Sequence, residues 1–287
     1  MSVLVGIPAL NVESTIEEVV VKANQYADNV LVVNDGSTDK TSDIMQKLDI
    51  TIITHDRKRG YGAALQSIFT HAKKTMNEQD ILVILDSDGQ HNPDDIARLC
   101  EPIRNGAVDI VTGTRFQNSK LPIFRKIVIK CLTKLVNGNI EDGQCGFRAY
   151  NYDAVINLNL HELSWGISLE ILREAKKKQL RIAEVPITCI YDQKSHSSNP
   201  ISQGSSLVES FLWFMVFGKP LTILGIPALL ILVGSFISAS ITIYLYMTLQ
   251  YLVLGWALIT ISCLIVGMLL AFSAILFYAL SRRFPYE

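Results

Sequence analysis

Two carboxylates one residue apart, Asp86 and Asp88, directly follow the apolar run Ile81-Leu82-Val83-Ile84-Leu85. A run of that length and composition reads as a buried strand, so both carboxylates emerge where the strand ends. Oxygen ligands so placed suit a hard divalent cation, Mg2+ or Mn2+, which commonly keeps waters and substrate phosphates as its other ligands. Gln90, two residues on, can supply a further oxygen. A cation held there would bridge the carboxylates to a diphosphate that they would otherwise repel, and would stabilise charge on a departing nucleoside diphosphate. Taken alone, Asp-x-Asp is more often an acidic surface turn. Its position between an apolar strand and a capped helix gives it weight.

That helix is signalled by Asn92 as a cap, Pro93 at the first helical position, and Asp94 and Asp95 at its positive end. Ile96, Leu99, Cys100 and Ile103 form its buried stripe. A second polar cluster, Asn34-Asp35-Gly36-Ser37-Thr38-Asp39, repeats the arrangement. Asp35 could accept hydrogen bonds from a nucleobase or ribose, while Thr38 or Asp39 caps the next helix.

The elements that must position these groups alternate between short apolar runs and amphipathic stretches, the pattern of a mostly parallel sheet covered by helices. Strands are predicted at Val3 to Ile7, Val30 to Asn34, Ile50 to Thr54, Ile81 to Leu85 and Asp109 to Thr112, with helices between. Ligands of such open sheets bind beyond the carboxyl ends of the strands. Each polar cluster lies there: residues 34–37, 55–60, 86–90 and 113–115. Gly6-Ile7-Pro8 ends the first strand with no GxGxxG fingerprint, and no GK[ST] loop is present, which excludes the dehydrogenase and P-loop readings. Gly60-Tyr61-Gly62 reads as a tight turn opening a helix.

Taken in order, Gly6 to Glu13, Val33 to Asp39, Arg59 to Ala64, Leu85 to Pro93 and Gly113 to Phe116 resemble a family 2 glycosyltransferase of the GT-A fold. Asp142 to Tyr150 and Glu184-Val185-Pro186-Ile187 narrow the resemblance to the dolichol-phosphate mannose synthase-like branch. It covers roughly residues 3 to 190. The resemblance implies that Pro8, Glu13 and Asp35 line a nucleotide pocket, that Asp86, Asp88 and Gln90 hold the metal and diphosphate, and that Arg115 stands near the reacting phosphates. It also implies transfer of one sugar, with inversion, to a polyprenyl phosphate. Gln144-Cys145, and Ser195 to Pro200, depart from the branch's usual residues and leave the sugar open. No residue decides the nucleotide; a UDP sugar is slightly favoured over GDP-mannose.

A phosphate acceptor fits the residues. Its second pKa of about 6 makes it largely dianionic, so it needs cations rather than a base. Arg125, Lys126, Lys130 and Lys134 punctuate the apolar residues of a predicted basic interfacial helix spanning Lys120 to Val136. Arg115, Arg125 and Arg148 are the candidates for the phosphate, since guanidinium forks bind it bidentately, with a purely structural role the alternative for Arg148. Asp88, Arg115 and Arg125 make the catalytic set. Asp142 is given a positioning role, and His91 a helix-opening one as readily as a site one.

From Leu221 to Leu280 no residue is charged. One helix of that length would be on the order of 90 Å, about three bilayer cores, so the stretch must fold back into two spans. These are predicted at Leu221 to Met247 and Leu252 to Leu280. Lys219, Arg282 and Arg283 flank the hairpin, which by the positive-inside rule puts both termini and the large domain in the cytoplasm. Met1 to Leu10 does not read as a signal peptide. The expected organisation is a GT-A domain over residues 1–203, an interfacial helix over 204–219 and a transmembrane hairpin over 220–287, open to homo-oligomerisation through the hairpin. Five scattered cysteines give no disulfide or zinc framework, and no nucleic-acid partner is expected. The rival readings are a processive polysaccharide synthase, disfavoured by the missing QxxRW element and the single hairpin, and a non-catalytic nucleotide-sugar-binding protein, disfavoured by the retained aspartates.

Overall fold

The structure is a computed structural model and describes residues 1–116, 126, 129–130, 133–134, 140–163, 166–189 and 221–283. The chain divides into two compact units, Met1–Ser210 and Phe211–Glu287.

The first unit is built on a seven-stranded sheet: β1 (Val3–Ala9), β2 (Asn29–Asn34), β3 (Thr51–Thr54), β4 (Ile81–Ile84), β5 (Ile110–Thr114), β6 (Arg148–Asn151) and β7 (Ile182–Pro186). Their spatial order is β3-β2-β1-β4-β6-β5-β7. All ladders are parallel except the two made by β6, which lies antiparallel between β4 and β5. Alternate residues of each central strand feed opposite layers. Val3, Val5 and Ile7 of β1 and Val83 of β4 pack with helices α1 (Ile16–Ala23), α2 (Thr41–Met45) and α4 (Ile96–Arg104). Leu4, Leu82 and Ile84 face α3 (Tyr61–Thr75), α5 (Tyr152–Asn157) and α6 (Ile167–Lys177). Burial on both faces explains why β1, β2 and β4 read as continuous apolar runs rather than alternating ones.

All five predicted strands form, with boundaries moved by one or two residues. β6 and β7 were missed. β6 carries the buried Arg148 and lies inside a motif rich in polar and glycine residues, while β7 is half-buried at the sheet edge and ends in Pro186. Neither shows an apolar run. The α4 expectation holds: Asn92 accepts from the Asp94 amide, Pro93–Asp95 forms a 3-10 turn, and Ile96, Leu99, Cys100 and Ile103 are buried.

In the second unit, a π-helical turn at Leu221–Gly225 leads into α7 (Ile226–Leu249), and α8 (Leu254–Arg283) returns. Leu221–Leu249 and Leu254–Ala279, of 29 and 26 residues, are long and apolar enough to cross a membrane. Most of their large apolar side chains are exposed, as lipid-facing residues would be. Between them Ser238 Oγ and Thr260 Oγ1 lie 2.7 Å apart, and Ser235 Oγ donates to the Thr260 carbonyl at 3.2 Å. A Cβ on Gly267 would lie 2.8 Å from Leu232, so glycine permits this approach.

Candidate active site

The sheet changes direction at β1 and β4, with β2 and β3 to one side and β6, β5 and β7 to the other. Open α/β sheets place their ligand crevice at such a switch point. Asp86-Ser87-Asp88 lies there, stitched to the end of β1: Ser87 Oγ donates to the Pro8 carbonyl at 2.7 Å, and Thr15 Oγ1 donates to the Ser87 carbonyl at 2.7 Å. Gly89, at φ +73°, turns the chain back so that Asp88 Oδ1 accepts from the Gln90 amide at 2.9 Å.

The chemistry of this turn fits a divalent cation. Burial pushes the Asp86 carboxyl up despite the Tyr61 hydroxyl and the Arg115 and Arg148 charges; burial and the Asp86 charge push Asp88 up as well. Both carboxylates thus lie in surroundings that disfavour their charged form, which a bound cation would relieve. His91 Nδ1 stands 3.6 Å from Asp86 Oδ2 with no hydrogen-bond partner, its ring stacked on Phe147 at 5.2 Å. Burial pulls this histidine down to about 4, so it is neutral at pH 7 and its nitrogen is a potential acceptor. Among the described residues no group of three or more His, Cys, Asp or Glu side chains is arranged to hold a metal ion.

Arg115, just past the end of β5, is a cation whose charge acts on both carboxylates of this turn. Its Nε and Nη2 donate to the two oxygens of Asp142 at 2.7 and 2.8 Å, and its amide donates to the same carboxylate at 3.1 Å. Asp142 has no exposed side-chain surface. Burial alone would raise its pKa, but the Arg115 charge and hydrogen bonds leave it below the ordinary value. Glu184 of β7 holds the loop from behind, its two oxygens accepting from the Glu141 and Asp142 amides at 2.8 and 2.7 Å. The positioning role expected of Asp142 thus has a geometry, extended through a residue recognised only as part of a motif.

At the β2 end the structure turns Asp35 inward. It is 2% exposed, and its carboxylate accepts from His55 Nδ1 and from the Arg59 and Gly60 amides at 2.7–2.8 Å. The side chain expected to line a nucleotide pocket holds the 55–60 loop. His55 Nε2 continues the chain to Ser67 Oγ at 2.9 Å. Glu13 pairs with the neighbouring loop, accepting from the Lys40 amide, while Asp39 accepts from the Glu13 and Thr41 amides.

Arg148 is also corrected. It is 2% exposed, and its Nη atoms donate to the Ser168 and Gly143 carbonyls at 3.2 and 2.6 Å, so it props the 143–146 loop and cannot meet a phosphate. A positive charge inside a glycine-rich polar motif suggests a ligand site, but its β6 position aims it into the core. Arg125, residues 195–200 and the interfacial helix at 204–219 lie outside the described residues. Of the basic helix, residues 126, 129–130 and 133–134 are helical; Ile129 and Thr133 are buried and Lys130 and Lys134 exposed. Lys126 donates to the Phe116 carbonyl and Lys130 pairs with Glu141. Sequence reasoning missed Tyr61, whose hydroxyl donates to Asp86 Oδ1 at 2.9 Å.

A mostly parallel sheet with a carboxylate pair at its switch point is the arrangement expected of a GT-A transferase domain, and comparison with known proteins agrees. The family model described as glycosyl transferase family 2 matches residues 4–162. A UDP-N-acetylglucosamine–dolichyl-phosphate N-acetylglucosaminyltransferase of Methanococcus voltae is 33% identical over 237 residues, covering 72% of this chain and 91% of its own. A dolichol-phosphate mannosyltransferase of Pyrococcus furiosus is 29% identical over 208 residues, 66% of this chain and 56% of its own. Among solved structures, glucosyl-3-phosphoglycerate synthase of Mycobacterium tuberculosis, crystallised with Mn2+, UDP and glucosyl-3-phosphoglycerate, superposes with TM-score 0.61 at 19% identity over 75% of this chain and 78% of its own. That likeness shows the fold. The chain belongs to glycosyltransferase family 2 and, within it, to the branch of dolichyl-phosphate sugar transferases.

Proposed function

We propose that the protein transfers a single sugar, with inversion, from a nucleoside diphosphate sugar to a polyprenyl phosphate at the cytoplasmic face of a membrane. The observation that carries this reading is the Asp86-Ser87-Asp88 turn, whose two carboxylates share the end of one strand at the switch point of the sheet. Asp86, Asp88 and Gln90 would hold Mg2+ or Mn2+, which when bound supplies charge stabilisation for the leaving diphosphate. The Mycobacterium tuberculosis relative in fold, solved with Mn2+ and UDP, supports that assignment.

A phosphate monoester oxygen of the acceptor attacks the anomeric carbon as the bond to the diphosphate breaks on the opposite face, giving inversion and a free nucleoside diphosphate. No base is needed, because the acceptor is already anionic. Arg115, its fork oriented by Asp142, and Arg125 would receive that phosphate. Pro8 and Glu13 would line the nucleotide pocket, with Asp35 shaping its floor from below. The Methanococcus voltae relative is named for a UDP sugar, which favours UDP over GDP. Lys219, Arg282 and Arg283 flank the hairpin and favour cytoplasmic termini.

The test is to incubate detergent-purified protein with a polyprenyl phosphate and UDP-N-acetylglucosamine, UDP-glucose or GDP-mannose, with and without Mg2+ or Mn2+. A lipid-linked monosaccharide is expected, lost without metal and reduced at least roughly 100-fold by Asp88→Asn. A polymeric product would instead establish a processive synthase. Nucleotide-sugar binding without any product would leave a non-catalytic protein.

A further inference from the structure

We propose that Tyr61 is the positioning residue of Asp86, and that Glu170 holds Tyr61 in place through the backbone of residues 161–163. The inference rests on the metal role given to Asp86 above. Tyr61 opens α3 and its hydroxyl donates to Asp86 Oδ1 at 2.9 Å. That bond fixes the orientation of the carboxylate, with Oδ2 set 3.6 Å from His91 Nδ1, so that its remaining lone pairs meet a cation in one geometry. A phenol does this without bringing a positive charge that would compete with the metal.

The contact is built in from two sides. A Cβ at Gly146 would lie 2.5 Å from Asp86 Oδ2, 2.8 Å from Oδ1 and 2.9 Å from the Tyr61 hydroxyl, so the backbone of residue 146 closes on carboxylate and phenol together. On the other side a Cβ at Gly60 or Gly62 would fall 2.3 or 2.2 Å from the Leu163 or Glu162 carbonyl. The Gly62 amide donates to the Leu163 carbonyl at 2.9 Å, so this carbonyl edge caps the start of the helix that carries Tyr61. Glu170, on α6 and 4% exposed, fixes the edge in turn: its carboxylate accepts from the His161 amide at 3.0 and 3.1 Å and from the Glu162 amide at 2.9 Å. Glu170 is a buried carboxylate for which the transfer itself has no use, and its three bonds all serve this edge.

The test is Mn2+ binding by the full-length, detergent-purified protein, followed by electron paramagnetic resonance with and without UDP. Tyr61→Phe removes only the hydroxyl and should raise the Mn2+ Kd roughly tenfold, the size of effect found when a partner that orients a metal ligand is removed. Gly146→Ala should raise it at least as much. Glu170→Gln should move it in the same direction by less, and tests the path independently should Tyr61→Phe fold poorly. Tyr26→Phe, which removes an exposed hydroxyl bonded to Asp94, should leave it unchanged. In transfer assays the apparent KM for Mn2+ should rise in Tyr61→Phe while the KM for the lipid phosphate stays put. Tyr61→Phe binding Mn2+ as tightly as the parent overturns this proposal alone; a parent that binds no Mn2+, with or without UDP, overturns the metal role on which it stands.

Discussion

The residues that matter most are carboxylates held by donors of the chain itself, and their energetics can be separated by single changes. Asp142 is fully buried against Arg115, so Asp142→Asn leaves a largely buried guanidinium without its counter-charge. A loss of about 2–3 kcal/mol is expected, discounted from a fully enclosed pair because Arg115 keeps some solvent contact. Thermal unfolding of the variant at pH 7 measures it, and an unchanged midpoint would show that the pair carries no stability. Asp80 is a different case. It accepts from the Ser2 and Asn77 amides, which together hold it at about 2, below its ordinary 3.8. A depressed folded value means that its contribution is full above about pH 4 and fades as the pH falls towards 2. Asp80→Asn should therefore melt lower than the parent at pH 7, with the gap closing by pH 2; a gap of constant size across that range would contradict the assignment.

Among the elements, α3 is the one whose seating decides the site, because it packs on β1 and β2 and begins at Tyr61. A Cβ on Gly6 of β1 would lie 2.4 Å from Ile68 Cγ2 on α3. Gly6→Ala should cost about 1–3 kcal/mol by lifting the helix. Combined with Ile68→Ala, the loss should be smaller than the sum of the two single changes, whereas strict additivity in denaturant unfolding would mean that no clash exists. The helix and strands that position the site were legible in sequence wherever burial was two-sided: β1, β2 and β4 announced themselves as apolar runs, and α4 by its cap and stripe. The rest left no periodic signal. β6 is four residues long and carries an arginine, β7 is an edge, and both owe their structure to partners distant in sequence. The same holds for the site. Asp86 and Asp88 were visible from type and spacing, but the inward turn of Asp35, the burial of Arg148 and the reach of Tyr61 across 25 positions to Asp86 depend on how the layers close.

On the scale of the whole molecule, a charge-rich transferase unit is joined to a hairpin of two apolar helices, and the proposed orientation has a direct test. Tyr251 lies exposed in the turn between α7 and α8. Tyr251→Cys should react with a membrane-impermeant thiol reagent added to intact cells, whereas Lys47→Cys, on the transferase unit, should react only after lysis. The reverse pattern would invert the orientation. The order of the sheet also bears on how the polypeptide is made. β3, β2, β1 and β4 are neighbours and lie within the first 84 residues, so they can assemble as soon as they leave the ribosome. β5 has no bond to β4; its place in the sheet is fixed only when β6 arrives from residues 148–151 and slots between them. Until then the apolar edge of β4 has no partner, an interval in which a nascent chain is open to wrong pairing. The antiparallel strand is thus a late-arriving keystone, and its synthesis sets the moment at which the open edge of β4 can be closed.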